Sequence, residues 1–126
     1  MIVPHLHFTG NCEEAISSYE KAFQTKAHTI VSNRQHGSDE DGIAHAEMLI
    51  HGQIVMLNDR FGKKDATTNI AVNLVVLFPS AKELSDCYEL LQENCTIVDT
   101  MQKLPYSELF VQFIDKFGVQ WCFMVQ

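Results

Sequence analysis

A chain of 126 residues has room for one hydrophobic core but not for two independent ones. Its 46% hydrophobic and 20% charged residues suit a globular protein, and a net charge of -7 repels phosphate backbones, so nucleic acid is not an expected partner. No apolar run nears the ~20 residues that cross a bilayer, no signal peptide is evident in Met1-Ile2-Val3-Pro4-His5, and Cys12, Cys87, Cys95 and Cys122 are scattered, which predicts a cytoplasmic chain with reduced thiols and no membrane partner.

From Ile2 to Thr9 the chain alternates, with Leu6 and Phe8 on one face and His5 and His7 on the other, as a half-buried strand does. Gly10 breaks it and Asn11 is the expected N-cap of a helix whose first turn holds Glu13 and Glu14 and whose apolar stripe is Ile16, Tyr19 and Phe23. Strands are expected over 26–32, 43–51 and 54–58, with His51-Gly52-Gln53 as the turn between the last two. In the middle strand Ile43, His45, Glu47 and Leu49 share one face, and Ala44, Ala46, Met48 and Ile50 the other. The order is β-α-β-β-β.

After a polar linker, Asp59 to Asn69, the order recurs. Ile70 to Phe78 reads as a nearly continuous apolar strand; Ser80 and Glu83 form a capping box, and Leu84, Cys87, Tyr88 and Leu91 the helix stripe. Strands are expected over 96–102, 108–114 and 119–125. Laying the second half on the first matches Asn11 with Ser80, Glu14 with Glu83 and Tyr19 with Tyr88, which predicts two similar modules, about 1–61 and 68–126, in a single domain of 1–126.

The run Gly10-Asn11-Cys12-Glu13-Glu14-Ala15-Ile16 through Tyr19, Ala22 and Phe23, the segment Ile43-Ala44-His45-Ala46-Glu47-Met48 and the ending Asp115-Lys116-Phe117-Gly118-Val119-Gln120-Trp121 resemble the PhnB-like branch of the vicinal-oxygen-chelate (glyoxalase/bleomycin-resistance/dioxygenase) superfamily. The resemblance implies an α+β fold of two βαβββ modules whose curved mixed sheets surround a shared cavity, commonly in a homodimer. Members with known chemistry are divalent-metal lyases, isomerases or dioxygenases, and others bind drugs without chemistry, so fold leaves function open. PhnB-like sequences are also labelled ubiquinone-pathway methyltransferases. The six glycines here are isolated, however, and the usual nucleotide-cofactor turn is absent.

By the family pattern the metal ligands fall on His5 and Glu47 in module one, competent donors for Zn, Fe, Mn or Ni. In module two the first-strand position falls on Leu74, or on Asn73 if the strands differ by one residue, and the late-strand position on Cys122. The expectation is therefore a small-molecule site with His5, Glu47 and Cys122 toward a possible metal, Glu47 as proton carrier, and His7, His45 and Asn73 or Leu74 lining the cavity. The alternative is a non-catalytic binding or sequestering protein, with Val72, Leu74 and Val76 as its apolar wall. The competing reading of His5, His7, His45 and Glu47 is a set of polar groups on a wet sheet surface. Met48, Met56, Met101 and Met124 look like core filler and Trp121 like core packing. Arg60, Lys63 and Lys64 read as a solvated basic loop rather than an anion site.

Overall fold

The computed structural model describes residues 1–38, 40–60 and 71–126, and the chain divides into two compact units, Met1–Ala66 and Thr67–Gln126. Module one runs β1 (His5–Phe8), α1 (Cys12–Ala22), β2 (Ala27–Ser32), β3 (Ile43–Ile50) and β4 (Gln53–Asp59). Its sheet has the order β1-β4-β3-β2, with β1 parallel to β4 and the other neighbours antiparallel. The helix forms because Cys12, Ala15, Ile16, Tyr19 and Ala22 recur at helical spacing, and that stripe is what it buries. Tyr19 meets the Phe8 ring at 6.5 Å, so Phe8, and with it Leu6, stands on the helix side of β1.

Asn11 does not cap α1: its side chain makes no cap hydrogen bond. Asp59, at the end of β4 and buried, does the work. Its Oδ1 accepts from the backbone N–H of Gly10 at 2.8 Å and of Cys12 at 3.0 Å, and its Oδ2 from that of Ile43 at 3.0 Å. A carboxylate at a helix N-terminus gains from the macrodipole as well as from the bonds. The chain passes so close at Gly42 (φ +112°) that a Cβ there would lie 2.8 Å from Asp59 Oδ2.

Module two runs β5 (Leu74–Phe78), α2 (Ala81–Leu91), β6 (Thr96–Leu104), β7 (Ser107–Ile114) and β8 (Gln120–Val125), with the sheet order β5-β8-β7-β6 and β5 parallel to β8. The two mixed sheets with one helix each give the α+β, two-module fold the sequence implies. Here the cap is local: Ser80 Oγ accepts from the Glu83 N–H at 3.2 Å. The core is aromatic. Phe123 has the rings of Phe78 and Phe113 at 5.0 Å and of Trp121 at 6.0 Å, and Tyr88 on α2 meets Phe113 at 5.1 Å. Trp121 donates from Nε1 to the buried Asp115 carboxylate at 2.8 Å.

β5 is shorter than expected and starts at Leu74, where pairing with Trp121 begins. The two strand-to-helix connections also differ. Thr9-Gly10-Asn11 joins β1 to α1, whereas Pro79-Ser80 alone joins β5 to α2. Laying helix on helix therefore slips strand on strand by one residue, and one residue reverses every side chain. Among the described residues no helix is long and apolar enough to cross a membrane.

Candidate functional site

Each sheet has a face covered by its own helix and a far face. In module one the far face gathers the ligand-type residues. His5 pairs with Met56 across β1 and β4, and Met56 pairs with Glu47 across β4 and β3. Ladder partners point the same way, so His5 and Glu47 share one face, two strands and roughly 10 Å of backbone apart, with Met56 between them. Met56 is thus a site neighbour rather than core filler; of the four methionines considered, only Met48 is fully buried.

The polar groups touch in sequence across the sheet. His7 Nδ1 lies 2.6 Å from Asn58 Oδ1; the rings of His7 and His5 are 4.3 Å apart; His5 meets His45 edge-on at 6.3 Å. His45 Nε2 lies 2.8 Å from Glu47 Oε2, and His28 Nε2 is 3.5 Å from Oε1 of the same carboxylate. The hydrogen bond from His45, followed by that from His28, holds Glu47 below the usual carboxylate range against an opposing effect of partial burial. Partial burial, then the neighbouring His7 and His45 and the Arg60 charge, hold His5 below its ordinary 6.5. Glu47 is thus the ionised group of the face, and His5 is biased toward its neutral form.

Sequence reasoning missed His28. A register shift lies between the pairs Ala27↔Met48 and Thr29↔Glu47, and His28 is the extra residue. Regular alternation from Thr29 would send it to the helix side; the bulge turns it toward Glu47. No local pattern in Ala27-His28-Thr29 announces this.

Module two departs from the expected placement. Leu74 pairs with Trp121, whose strand neighbour Phe123 packs in the core, so Leu74 stands on the helix side and not on the far face. Val76 is likewise buried there, and the apolar far face is built from Val75 and Leu77, 55% and 45% exposed. Asn73 lies just before β5, half-buried. Cys122 pairs with Val75 on one side and Gln112 on the other, and Gln112 pairs with Asp99. By ladder position Val75 corresponds to His5, Gln112 to Glu47 and Cys122 to Met56. Burial, then the Asp99 charge, raises the Cys122 thiol.

Among the described residues no three His, Cys, Asp or Glu side chains are grouped so as to hold a metal ion. In module one the reason is visible: both Glu47 oxygens face imidazoles, and His5 stands two strands away. The donor set does not fit a metal as it stands, and no chemistry is routed through one. Arg60 is exposed, while Lys63 and Lys64 lie outside the described residues.

A family profile described as 3-demethylubiquinone-9 3-methyltransferase matches residues 1–124. Protein YjdN of Escherichia coli K12 is 27% identical over 94% of this chain and 90% of its own. A structure from Bacillus cereus described as a putative 3-demethylubiquinone-9 3-methyltransferase, PhnB protein, is 27% identical with a TM-score of 0.88, covering 99% of this chain and 98% of that one. A glyoxylase/bleomycin resistance protein/dioxygenase domain from Frankia sp. EAN1pec shares the fold at 15% identity and a TM-score of 0.71, covering 99% of this chain and 90% of that one.

Proposed function

The chain belongs to the family described as 3-demethylubiquinone-9 3-methyltransferase, the PhnB-like branch of the vicinal-oxygen-chelate superfamily, and on that premise we propose that it binds a small molecule on the far face of the module-one sheet. His5, His7, His45 and Glu47 are its polar contacts. The observation that carries this is a run of three imidazoles, His7 and His5 on β1 and His45 on β3, that ends on the ionised carboxylate of Glu47. Methyl transfer is not adopted. The six glycines are isolated in sequence, and none forms the Gly-x-Gly turn between a strand and a helix that the usual nucleotide-type cofactor site needs.

The test is an NMR screen of the full chain with small acids, alcohols, amines and diketones. Hits should perturb His5, His7, His45 and Glu47 ahead of other residues; hits confined elsewhere would end the proposal. A metal-dependent lyase, isomerase or dioxygenase, with Zn, Fe, Mn or Ni, is the second reading, and the ionised state of Glu47 favours it. It would require His5 and Glu47 to leave the arrangement seen here, which does not fit a metal. Elemental analysis decides between them. One equivalent of metal lost in both His5→Ala and Glu47→Gln would replace the binder with the metalloenzyme. We also propose that the chain acts as a cytoplasmic homodimer, a reading supported by the exposed Val75, Leu77, Ile97 and Val98. Sedimentation as a monomer at micromolar concentration would count against it.

A further inference from the structure

Resting on the binding reading above, we propose that the ligand of this face carries a protonated amine, received by Glu47, with His28 and His45 as positioning residues. A carboxylate only accepts hydrogen bonds, so the His45 nitrogen 2.8 Å from Glu47 Oε2 must be its N–H. In a neutral imidazole the other nitrogen, Nδ1, is then a lone pair. The same assignment follows for His28, whose Nε2 faces Oε1 at 3.5 Å. His7 donates from Nδ1 to Asn58 Oδ1 at 2.6 Å, which leaves its Nε2 as an acceptor.

Each Glu47 oxygen thus has one imidazole N–H on it and acceptor capacity left over, while the Nδ1 lone pairs of those rings point away. What the face offers at Glu47 is a negative charge and further carboxylate acceptor sites. An ammonium group answers that pattern with three donors, no acceptor and a positive charge. An anion would instead meet the Glu47 charge with no Lys or Arg beside it among the described residues. Among the described residues Arg60 is the cation whose charge reaches this face, at His5. Arg60 lies beyond the end of β4, about 13 Å along the strand from Met56 at the usual rise per residue. It can meet another part of the ligand but not the part at Glu47. The β2 bulge adds the second observation, because it gives up a regular ladder position to bring His28 to the second oxygen of Glu47, the one His45 does not hold.

The experiment is NMR of the full chain with labelled histidine at a fixed pH of about 8, with ethanolamine as the amine probe and sulfate as the anion control. His28 and His45 are expected to carry their protons on Nε2, and ethanolamine to shift their ring signals while sulfate does not. Glu47→Gln should weaken ethanolamine binding about tenfold, the scale of one charge-assisted hydrogen bond. His28→Ala should weaken it less, and His28→Asn, whose amide can still donate to Glu47, should recover part of that loss. Protons on Nδ1 of His28 and His45, sulfate shifting these signals in place of ethanolamine, or unchanged affinity in Glu47→Gln would each overturn the amine assignment. With sulfate bound here the binding site would stand and only its ligand class would fall. If neither probe nor any compound of the wider screen reaches these residues, both fall.

Discussion

Module one places His5, His7, His45 and Glu47 on its far face; the corresponding ladder positions of module two hold Val75, Leu77, Phe110 and Gln112. The order of elements, the sheet topology and the helix positions repeat, while the chemistry of the exposed face does not. A repeated fold is maintained by what lies under the helix. The far faces differ in burial too: Phe110 and Cys122 are buried in module two, where His45 and Met56 at the matching positions of module one are half-buried. Gln112 against Glu47 is the sharpest case: the shape is kept and the charge is gone.

The difference in core chemistry should give the largest effect. Phe123→Ala removes a fully buried ring that touches three other aromatics, and should cost about 3–5 kcal/mol in urea unfolding. A loss under about 1 kcal/mol would mean that the module-two core is loosely packed. The two caps come next. Asp59→Ala leaves three backbone donors without their carboxylate, and should cost about 3 kcal/mol, whereas Ser80→Ala should cost about 1 kcal/mol. Equal losses would show that the distant cap is no stronger than the local one.

Acid should act on module one through the far face. The folded pKa of His5 lies below 6.5, so the unfolded chain takes up that proton first. The contribution of His5 is complete above 6.5 and is lost as the pH falls through its folded value. Glu47 adds a contribution that is present above 4.5 and is lost below it, as the pH falls through its lowered folded value. His5→Asn should flatten the fall in melting temperature between about pH 7 and pH 5, while Val75→Ala at the matching position should leave its slope unchanged. An unaltered slope in His5→Asn would remove His5 from the account.

The smallest effect concerns thiols. Burial pushes Cys12 and Cys87 up to about 12, and Cys95 is the least buried of the four cysteines. Iodoacetamide at about pH 8 should therefore modify Cys95 first, with Cys12 and Cys87 protected until unfolding. Mass spectrometry of the early product checks this, and early loss of Cys12 would show that α1 opens readily.

Much of the fold was legible because it rests on consecutive residues. Alternation placed His5 and His7 opposite Leu6 and Phe8, and Glu47 opposite Met48. Helical spacing placed Tyr19 and Leu84 in the cores, and the Ser80–Glu83 box started α2 where expected. Each of these signals lies within one or two turns of chain.

What only the tertiary structure decided involves partners distant in sequence. The cap of α1 comes from Asp59, 47 residues from Cys12, while the plausible local cap Asn11 goes unused. Leu74 and Val76 went to the helix side, and Val75 and Leu77 to the far face, because the β5–α2 connection is one residue shorter than its counterpart, and a period of two turns that difference into a reversal of faces. His28 entered the site through a bulge that exists only because β2 pairs with β3 in a shifted register. Local spacing fixes which residues alternate, but register and turn length fix which way they point, and those are set by the strand on the other side of the ladder.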